Sequence, residues 1–273
     1  MQISTIVSNE KQLNILLKNK NIDEIVIDRD CFDDNLIVKN LSIIKNNNKN
    51  AYLRLERISR YDDNNDLNDN TTELINNKNV DGLVLQNFDS FIYVLDNLKI
   101  DNNKKIVIEI DYGINVINNY AKENIIDLFN QKFNNKNKNV SLRFVSPVEL
   151  NNYEIINLKI DTLIVYGYIP TMVTANCLFK TLNKCDKKNN IDFIKDRMNN
   201  NIYFRAFCKY CYNKIYNIAP LYLVDIIDSL KDAGFDKIRY DFSIEKDKEI
   251  DKILNKNYIP KNFTRGHIKN KII

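Results

Sequence analysis

Eight short runs along the chain are apolar almost throughout: ISTIV (3–7), EIVID (24–28), AYLRLE (51–56), GLVLQ (82–86), KIVIEID (105–111), VSLRFV (140–145), DTLIVYG (161–167) and KIRYDF (237–242). Such runs, rich in β-branched residues, suit strands covered on both faces. Between them the apolar positions take on helical spacing. NEKQLNILLKN carries Leu13, Leu16 and Leu17 behind Ser8, which is expected as N-cap. SFIYVLDNL and NVINNYAKENIIDLFNQKF follow the fourth and fifth runs, and PLYLVDIIDSLKDAG starts at Pro220 and stops at Gly234. Strand and helix in alternation predict a parallel sheet, and eight such units predict a TIM-like (β/α)8 barrel. A doubly wound open sheet is the alternative, but no Gly-rich phosphate loop follows the first run.

The spacing breaks once. The seventh run ends near Gly167 and the eighth starts near Lys237, so residues 168–236 are expected to form an insertion within a single barrel domain spanning 1–273. Loops after barrel strands lie at the C-terminal face, where chemistry is placed, and a connection of this length predicts a functional site. Four cysteines fall inside it, Cys177, Cys185, Cys208 and Cys211, with the spacing C-x7-C-x22-C-x2-C. Thiolates are soft ligands that suit zinc or iron–sulfur clusters, and a C-x2-C pair brings two sulfurs to one centre. Spacing alone does not separate zinc from iron and sulfide. Unrelated buried thiols and a redox pair are the competing readings, although a redox pair should open a helix after the first strand of a small α/β fold. Cys31 follows the second run and is the substitute should one of the four not be a ligand.

Carboxylates close several strand runs: Asp28, Glu109 with Asp111, and Asp241 followed by Glu245. In pairs they can act as acid and base when their surroundings separate their pKa values, and capping or solvation is the ordinary alternative. Arg143, Arg239 and Arg265 are candidates for holding an anion, with Arg54 and Arg57 as weaker ones. Asp241, Arg239 and Arg143 are the expected catalytic set. His267 is the only histidine, which removes Ser-His-Asp and Cys-His arrangements unless it supplies the base. No H-E-x-x-H occurs.

The chain has 273 residues, enough to hold a core without crosslinks. Its 40 basic and 36 acidic residues leave a net charge of +4, too mild to indicate nucleic acid without a clustered basic face. The N-terminus shows neither a basic lead nor an apolar segment with a small-residue cleavage site. No run reaches the roughly 18 apolar residues of a membrane span. A cytoplasmic protein with reduced thiols is therefore expected. Asn, Lys and Ile are abundant, and IKNNNKN, YDDNNDLNDNTTELINNKN, FNNKNKN and RMNNN read as solvent loops.

Several longer stretches carry a family likeness. VYGYIPTMVTANC (165–177), the following KCD, DRMNNNIYFRAFCKYCYNKIYNIAPLYLVDII (196–227), KIRYDFSIE and FTRGHI together resemble the U-32, collagenase-like peptidase family. The likeness is to the C-terminal barrel region of its longer bacterial members. VDGLVLQNFDSF and IEIDYGINVINNYA extend it upstream, so it covers nearly the whole chain. The resemblance implies a TIM-like barrel whose loop cysteines hold an iron–sulfur cluster of the four-iron type. Cys177 corresponds to the first family cysteine, Cys185 to the second, and Cys208 with Cys211 to the later pair. Some members use an early cysteine instead, which keeps Cys31 open. Relatives include oxygen-independent hydroxylases of RNA bases, and others carry a protease label. The resemblance thus implies RNA (rRNA or tRNA) or a small anionic hydroxyl donor as partner. Where many members read Lys-Ile-Glu-Gly-Arg on the last strand, this chain has Arg239, Tyr240, Asp241, Phe242 and Ser243. It is also shorter than multidomain relatives, consistent with a protein partner that supplies a missing half. A peptidase and a metal-stapled, non-catalytic barrel are the alternatives to a hydroxylase.

Overall fold

The computed structural model describes residues 1–59, 67–101, 103–133, 139–232, 234–256 and 258–268. The first seven apolar runs form β1 (Gln2–Val7), β2 (Glu24–Asp28), β3 (Asn50–Arg54), β4 (Gly82–Leu85), β5 (Ile106–Ile110), β6 (Val140–Phe144) and β7 (Thr162–Gly167). The long connection then builds β8 (Pro170–Thr174), β9 (Ile191–Lys195), β10 (Asn201–Phe207), β11 (Tyr212–Tyr216) and a short β12 (Leu221–Tyr222), before the eighth run forms β13 (Lys237–Asp241).

Eight of these strands are parallel neighbours in the order β7-β13-β1-β2-β3-β4-β5-β6, and β12 adds antiparallel outside β7. The sheet curls until its two parallel edges meet at one bridge, Val145 with Thr162. There the Ser146 N–H donates to Thr162 O at 2.8 Å and the Asp161 N–H to Phe144 O at 3.0 Å. The architecture is a mixed α/β, TIM-like one.

Strand alternation sends successive side chains to opposite faces. The outer face packs under the helices in one continuous apolar cluster that includes Val7, Ile25, Leu53, Leu83, Ile108 and Ile238. The inner face carries a small apolar cluster of Ile6, Val26, Tyr52 and Val84. Beside it lies a buried ionic layer. Lys237 Nζ stands 2.8 Å from both Glu24 and Glu109, and Arg239 contacts Glu24 at 3.0 Å, Glu109 and the Ser4 hydroxyl. Buried charges are costly unless paired and hydrogen-bonded, and here each carboxylate meets both cations. Burial opposes ionisation of Glu109, but Arg239 and Lys237 outweigh it and hold the carboxyl below its usual range.

The helices are α1 (Glu10–Lys18), α2 (Asp34–Asn46), α3 (Leu67–Ile75), α4 (Phe88–Asn97), α5 (Asn119–Phe133), α6 (Asn152–Asn157), α7 (Leu178–Thr181), α8 (Ile227–Asp232) and α9 (Asp247–Leu254). Asn9, not Ser8, caps α1, because its side chain reaches the Gln12 N–H while Ser8 bonds Gln12 Oε1 instead. Part of the expected 61–79 loop is helix α3, since Leu74 and Ile75 find a place in the core. Residues 76–79 form the turn after it, while residues 61–66 and most of FNNKNKN lie outside the described residues. Helix α2, not anticipated, buries Ile37, Leu41 and Ile44 at helical spacing behind a polar surface of Asn and Lys. The helix expected from Pro220 starts later. Leu221 and Tyr222 pair with Gly167 and Tyr166 first, and only then does the chain turn into α8, which ends at Asp232, two residues before Gly234 with its φ of +96°.

Gly82 is required by Tyr52 on the next strand, because a Cβ built there would lie 2.2 Å from the Tyr52 ring. Gly82→Ala is expected to lower stability by about 1–3 kcal/mol in chemical denaturation, as overpacking does. Adding Tyr52→Leu should recover part of that loss, and no recovery would place the strain elsewhere.

Candidate functional site

The insertion is a four-stranded antiparallel sheet, β8-β11-β10-β9, laid over the C-terminal ends of the parallel strands. Two cations fasten it. Arg205 on β10 donates to the carbonyls of Ser8 and Ser243, both at 3.1 Å. Lys214 on β11 lies 3.0 Å from Asp30 and 3.9 Å from Asp28, and the Tyr212 hydroxyl donates to Asp30 as well. Both cations sit over the Phe207 ring, at 5.5 and 4.7 Å.

Under this sheet, Arg54 gathers three carboxylates from three strand ends. Its guanidinium is 2.6 Å from Asp111, 3.4 Å from Asp28 and 3.5 Å from Asp241. The space between Asp28, Asp241 and Arg54 is small, a pocket of about 10 Å³ also lined by Cys31, Arg205, Phe207 and Lys214. Burial raises the carboxyls of Asp28 and Asp241, against Lys214 and Arg54 respectively, with neighbouring carboxylates adding to the rise. Glu245 follows in the loop after β13. Burial pushes it up to about 8, and Oε1 has no hydrogen-bond partner among the described residues.

The cysteines lie on the adjoining flank. Cys208 and Cys211 belong to the four-residue connection between Phe207 and Tyr212, which pair across the β10–β11 hairpin. Cys211 takes a left-handed backbone, φ 53°, which closes the turn. Cys177 is buried immediately before α7, and Cys185 is exposed in the loop after it. Asn189 ties these segments together. Its Oδ1 accepts from the Cys208 N–H at 2.8 Å, and its Nδ2 donates to Asp30 O at 3.3 Å. The Cys208 thiol donates to Lys188 O at 3.0 Å.

All five cysteines line one cavity of about 950 Å³, rimmed by Lys180, Lys187, Lys188 and Lys209. Among the described residues no three His, Cys, Asp or Glu side chains stand in the arrangement of a metal site. The thiols face a common space whose size exceeds what a single ion needs. As a donor set they fit a soft metal or cluster: four sulfurs from two loops, with cations around them. Burial raises the Cys208 thiol, and the sulfurs of Cys185, Cys177 and Cys211 add to the rise. A bound cation would relieve that repulsion. Cys31 also borders the mouth pocket, and burial, opposed by Arg205, pushes its thiol up to about 12.

The structure thus brings Asp28, Asp111, Asp241 and Arg54 together at the mouth and the cysteines beside it. Arg239 and Glu109 belong to the buried ionic layer, one inward position deeper along β13 and β5 than Asp241 and Asp111. Arg143 is half-buried on β6, in register with Glu109. Arg265 pairs with Asp225 at 2.5 Å and donates to Tyr222 O. His267 is exposed and lines a separate depression with Leu150 and Ile155. Asp30, Arg205, Tyr212, Lys214 and Asn189 were not anticipated. A signal for two of them exists: Arg205 and Lys214 interrupt aromatic strand segments, where a charge calls for a buried partner.

No family model matches the sequence, and no curated protein matches it. Among solved structures, the U32 peptidase Mk0906 is similar to this chain with a TM-score of 0.53 at 9% identity, covering 90% of this chain and 94% of that one. The fold is U32-like. At that identity the likeness is one of fold. An uncharacterized B. cereus protein matches with a TM-score of 0.45 at 10% identity, over 93% of this chain and 64% of that one. A Clostridium difficile 630 alanine racemase matches at 0.32 and 13%, over 58% and 39%. No helix among the described residues is long and apolar enough to cross a membrane.

Glu245 gives this U32-like mouth a pH signature. A carboxyl whose pKa is higher folded than unfolded stabilises the fold fully at low pH, and that contribution is lost as pH rises from about 4.5 toward about 8. The loss is steepest in that window, at about 1.4 kcal/mol per pH unit for one proton. Glu245→Gln should flatten the fall in melting temperature between pH 5 and pH 8. An unchanged slope would show that Glu245 is ionised in the folded chain.

Proposed function

We propose that Cys177, Cys185, Cys208 and Cys211 hold an iron–sulfur cluster of the four-iron type, and that the chain is an enzyme or enzyme subunit of the oxygen-independent RNA-base hydroxylase type. The observation that carries this reading is the shared cavity: four thiols from two loops line a lysine-rimmed space that abuts, through Cys31 and Phe207, the carboxylate pocket at the barrel mouth. A cluster bound there would supply one-electron chemistry.

The chain's own residues divide the remaining work. Lys180, Lys187, Lys188 and Lys209 offset the negative charge of bound thiolates and attract an anionic substrate such as RNA. Asp241 and Asp28, both raised by burial, hold and move a proton at their carboxyl oxygens. Arg54 orients these two carboxyls from between them. Arg239 keeps the buried ionic layer in place and Arg143 lies on the strand next to it, so neither is assigned a reacting atom. Cys31, which lines both the cysteine cavity and the mouth pocket, is assigned no cluster bond. The likeness in fold to a U32 peptidase is the basis for the competing reading, but His267 lines a different depression from the cysteines.

Anaerobic reconstitution with iron and sulfide should give a brown protein with about four irons per chain. Serine at Cys177, Cys185, Cys208 or Cys211 should each reduce bound iron, and Cys31→Ser should leave it unchanged. Mass spectrometry of RNA from cells with and without the gene should then reveal a base lacking one oxygen in its absence. Stoichiometric zinc with no iron uptake and full thiol content would sink the cluster assignment and favour a structural staple. Peptide cleavage that survives iron removal would favour the peptidase.

A further inference from the structure

The inserted sheet ends in an open edge. β9 closes the order β8-β11-β10-β9, and among the described residues it pairs with β10 alone. Natural edge strands are blunted by proline, bulges or inward-pointing charges, because their free N–H and C=O groups template pairing with another chain. β9 reads Ile191-Asp192-Phe193-Ile194-Lys195, without proline, and its register with β10 runs without a shift. Ile191, Phe193 and Ile194 are exposed by 43%, 44% and 39%.

The hydrogen bonds on either side of β9 fix which of its peptide groups face outward. Antiparallel partners alternate between pairs that exchange both backbone bonds and pairs that exchange none. Just beyond the two ends of β9, the Ala206 N–H donates to Asn190 O at 3.0 Å and the Asp196 N–H to Asn200 O at 3.1 Å. The even-numbered residues are therefore the ones bonded to β10, and Ile191, Phe193 and Lys195 aim their N–H and C=O groups away from the sheet. The Phe193 N–H donates to its neighbour Asp192 Oδ1 at 2.8 Å, a local bond that a partner carbonyl can replace. On one face, Phe193 also ends an edge-to-face aromatic row, Tyr168 to Tyr203 at 6.3 Å and Tyr203 to Phe193 at 6.1 Å, which stops at the open edge.

We propose that β9 is a self-association edge, at which a second copy of this chain pairs antiparallel about a two-fold axis through Phe193. A two-fold axis normal to the sheet keeps each face continuous, and centring it on an odd-numbered residue joins outward groups to outward groups. Charge selects among the odd centres. Centring on Lys195 opposes two lysines, and centring on Ile191 brings Lys195 toward the partner's Lys187. Centring on Phe193 sets Ile191 beside the partner's Lys195 and lets the aromatic row continue across the seam. The strand carries an acid near one end and a base at the other, so an antiparallel copy lays Lys195 alongside the end that holds the partner's Asp192. A partner of one charge sign gains no such match. The pairing uses no cysteine and needs no cluster, so it stands or falls independently of the function proposed above.

Sedimentation equilibrium of the full, iron-free chain under reducing conditions tests it, paired with hydrogen exchange at low and high protein concentration. One short edge buries less than the ~800 Å² per partner of a standard interface, so a dimer of roughly 10–100 µM dissociation constant is expected. On raising the concentration, the Ile191, Phe193 and Lys195 amides should gain protection, while those of Asp192 and Ile194 should stay as they were. Phe193→Pro removes an outward N–H that β10 does not use, which an edge strand tolerates, and should leave the chain folded and monomeric. Lys195→Asp should weaken the dimer roughly fivefold or more, because the pair occurs twice per dimer, and adding Asp192→Lys should restore it. Tyr120→Ser, at a residue 81% exposed on α5, should change nothing. A chain that stays monomeric at several hundred µM, a dimer that survives Phe193→Pro, or one that Tyr120→Ser dissolves would overturn the proposal. So would protection of the same amides in a monomer by a short Thr-Val repeat peptide, which would make β9 a general strand-docking edge.

Discussion

Four buried carboxylates, Asp28, Asp30, Asp111 and Asp241, converge where β2, β5 and β13 end, and they tolerate one another only because cations stand among them. Arg54 comes from within the parallel sheet and serves three of the four. Asp30 is left to Lys214 and Tyr212, both of which belong to the inserted sheet. The mouth is therefore electrostatically complete only when the insertion is seated on it. Removing one partner from such a set leaves an uncompensated charge, far more damaging than removing a surface ion pair. Seating the insertion also creates the cysteine cavity, because one of its walls is the segment after β2 and the other is the β10–β11 turn.

The same logic explains why the molecule has two ionic layers with different characters. In the deeper one, Lys237 and Arg239 face Glu24 and Glu109, so each charge is matched and each carboxylate is multiply bonded. That layer is suited to holding strands in register. At the mouth the carboxylates outnumber the cations that reach them, and burial lifts Asp28 and Asp241. An unbalanced, water-poor cluster is where protons change hands at accessible pH.

The parallel strands were legible because their signal is local: all eight apolar runs became strands within a residue or two of their expected bounds. The insertion was legible as a gap and not as a sheet. Its strands are short and half polar, with β9 reading Ile-Asp-Phe-Ile-Lys, so their identity comes from pairing partners and not from their own pattern. Helix α3 was hidden by Asn and Asp, which dilute an apolar face to which Leu74 and Ile75 contribute. The cysteines could be grouped by spacing, but Asn189, which ties their two loops to the β2 segment, carries no motif. Strand-end position placed Asp28 and Asp241 at the mouth. The same reasoning did not separate Arg239 from them, because inward positions on one strand differ in depth by two residues and depth is set by register across the whole sheet.

Geometry also bears on which chemistry this fold can host. Nucleophilic catalysis by a thiol needs a base within hydrogen-bond reach. Here Cys31 is kept protonated by burial and faces Arg205, a group that cannot accept a proton. Cys208 spends its thiol proton on a backbone carbonyl, and His267 lies elsewhere on the molecule. What the thiols do share is a wide common space ringed by lysines, an environment that favours anions. Two cavities then flank the carboxylate pocket and share its lining, Cys31 and Phe207 on one side and Tyr112, Pro170 and Lys214 on the other, so both open toward the carboxyls of Asp28 and Asp241 that burial keeps raised.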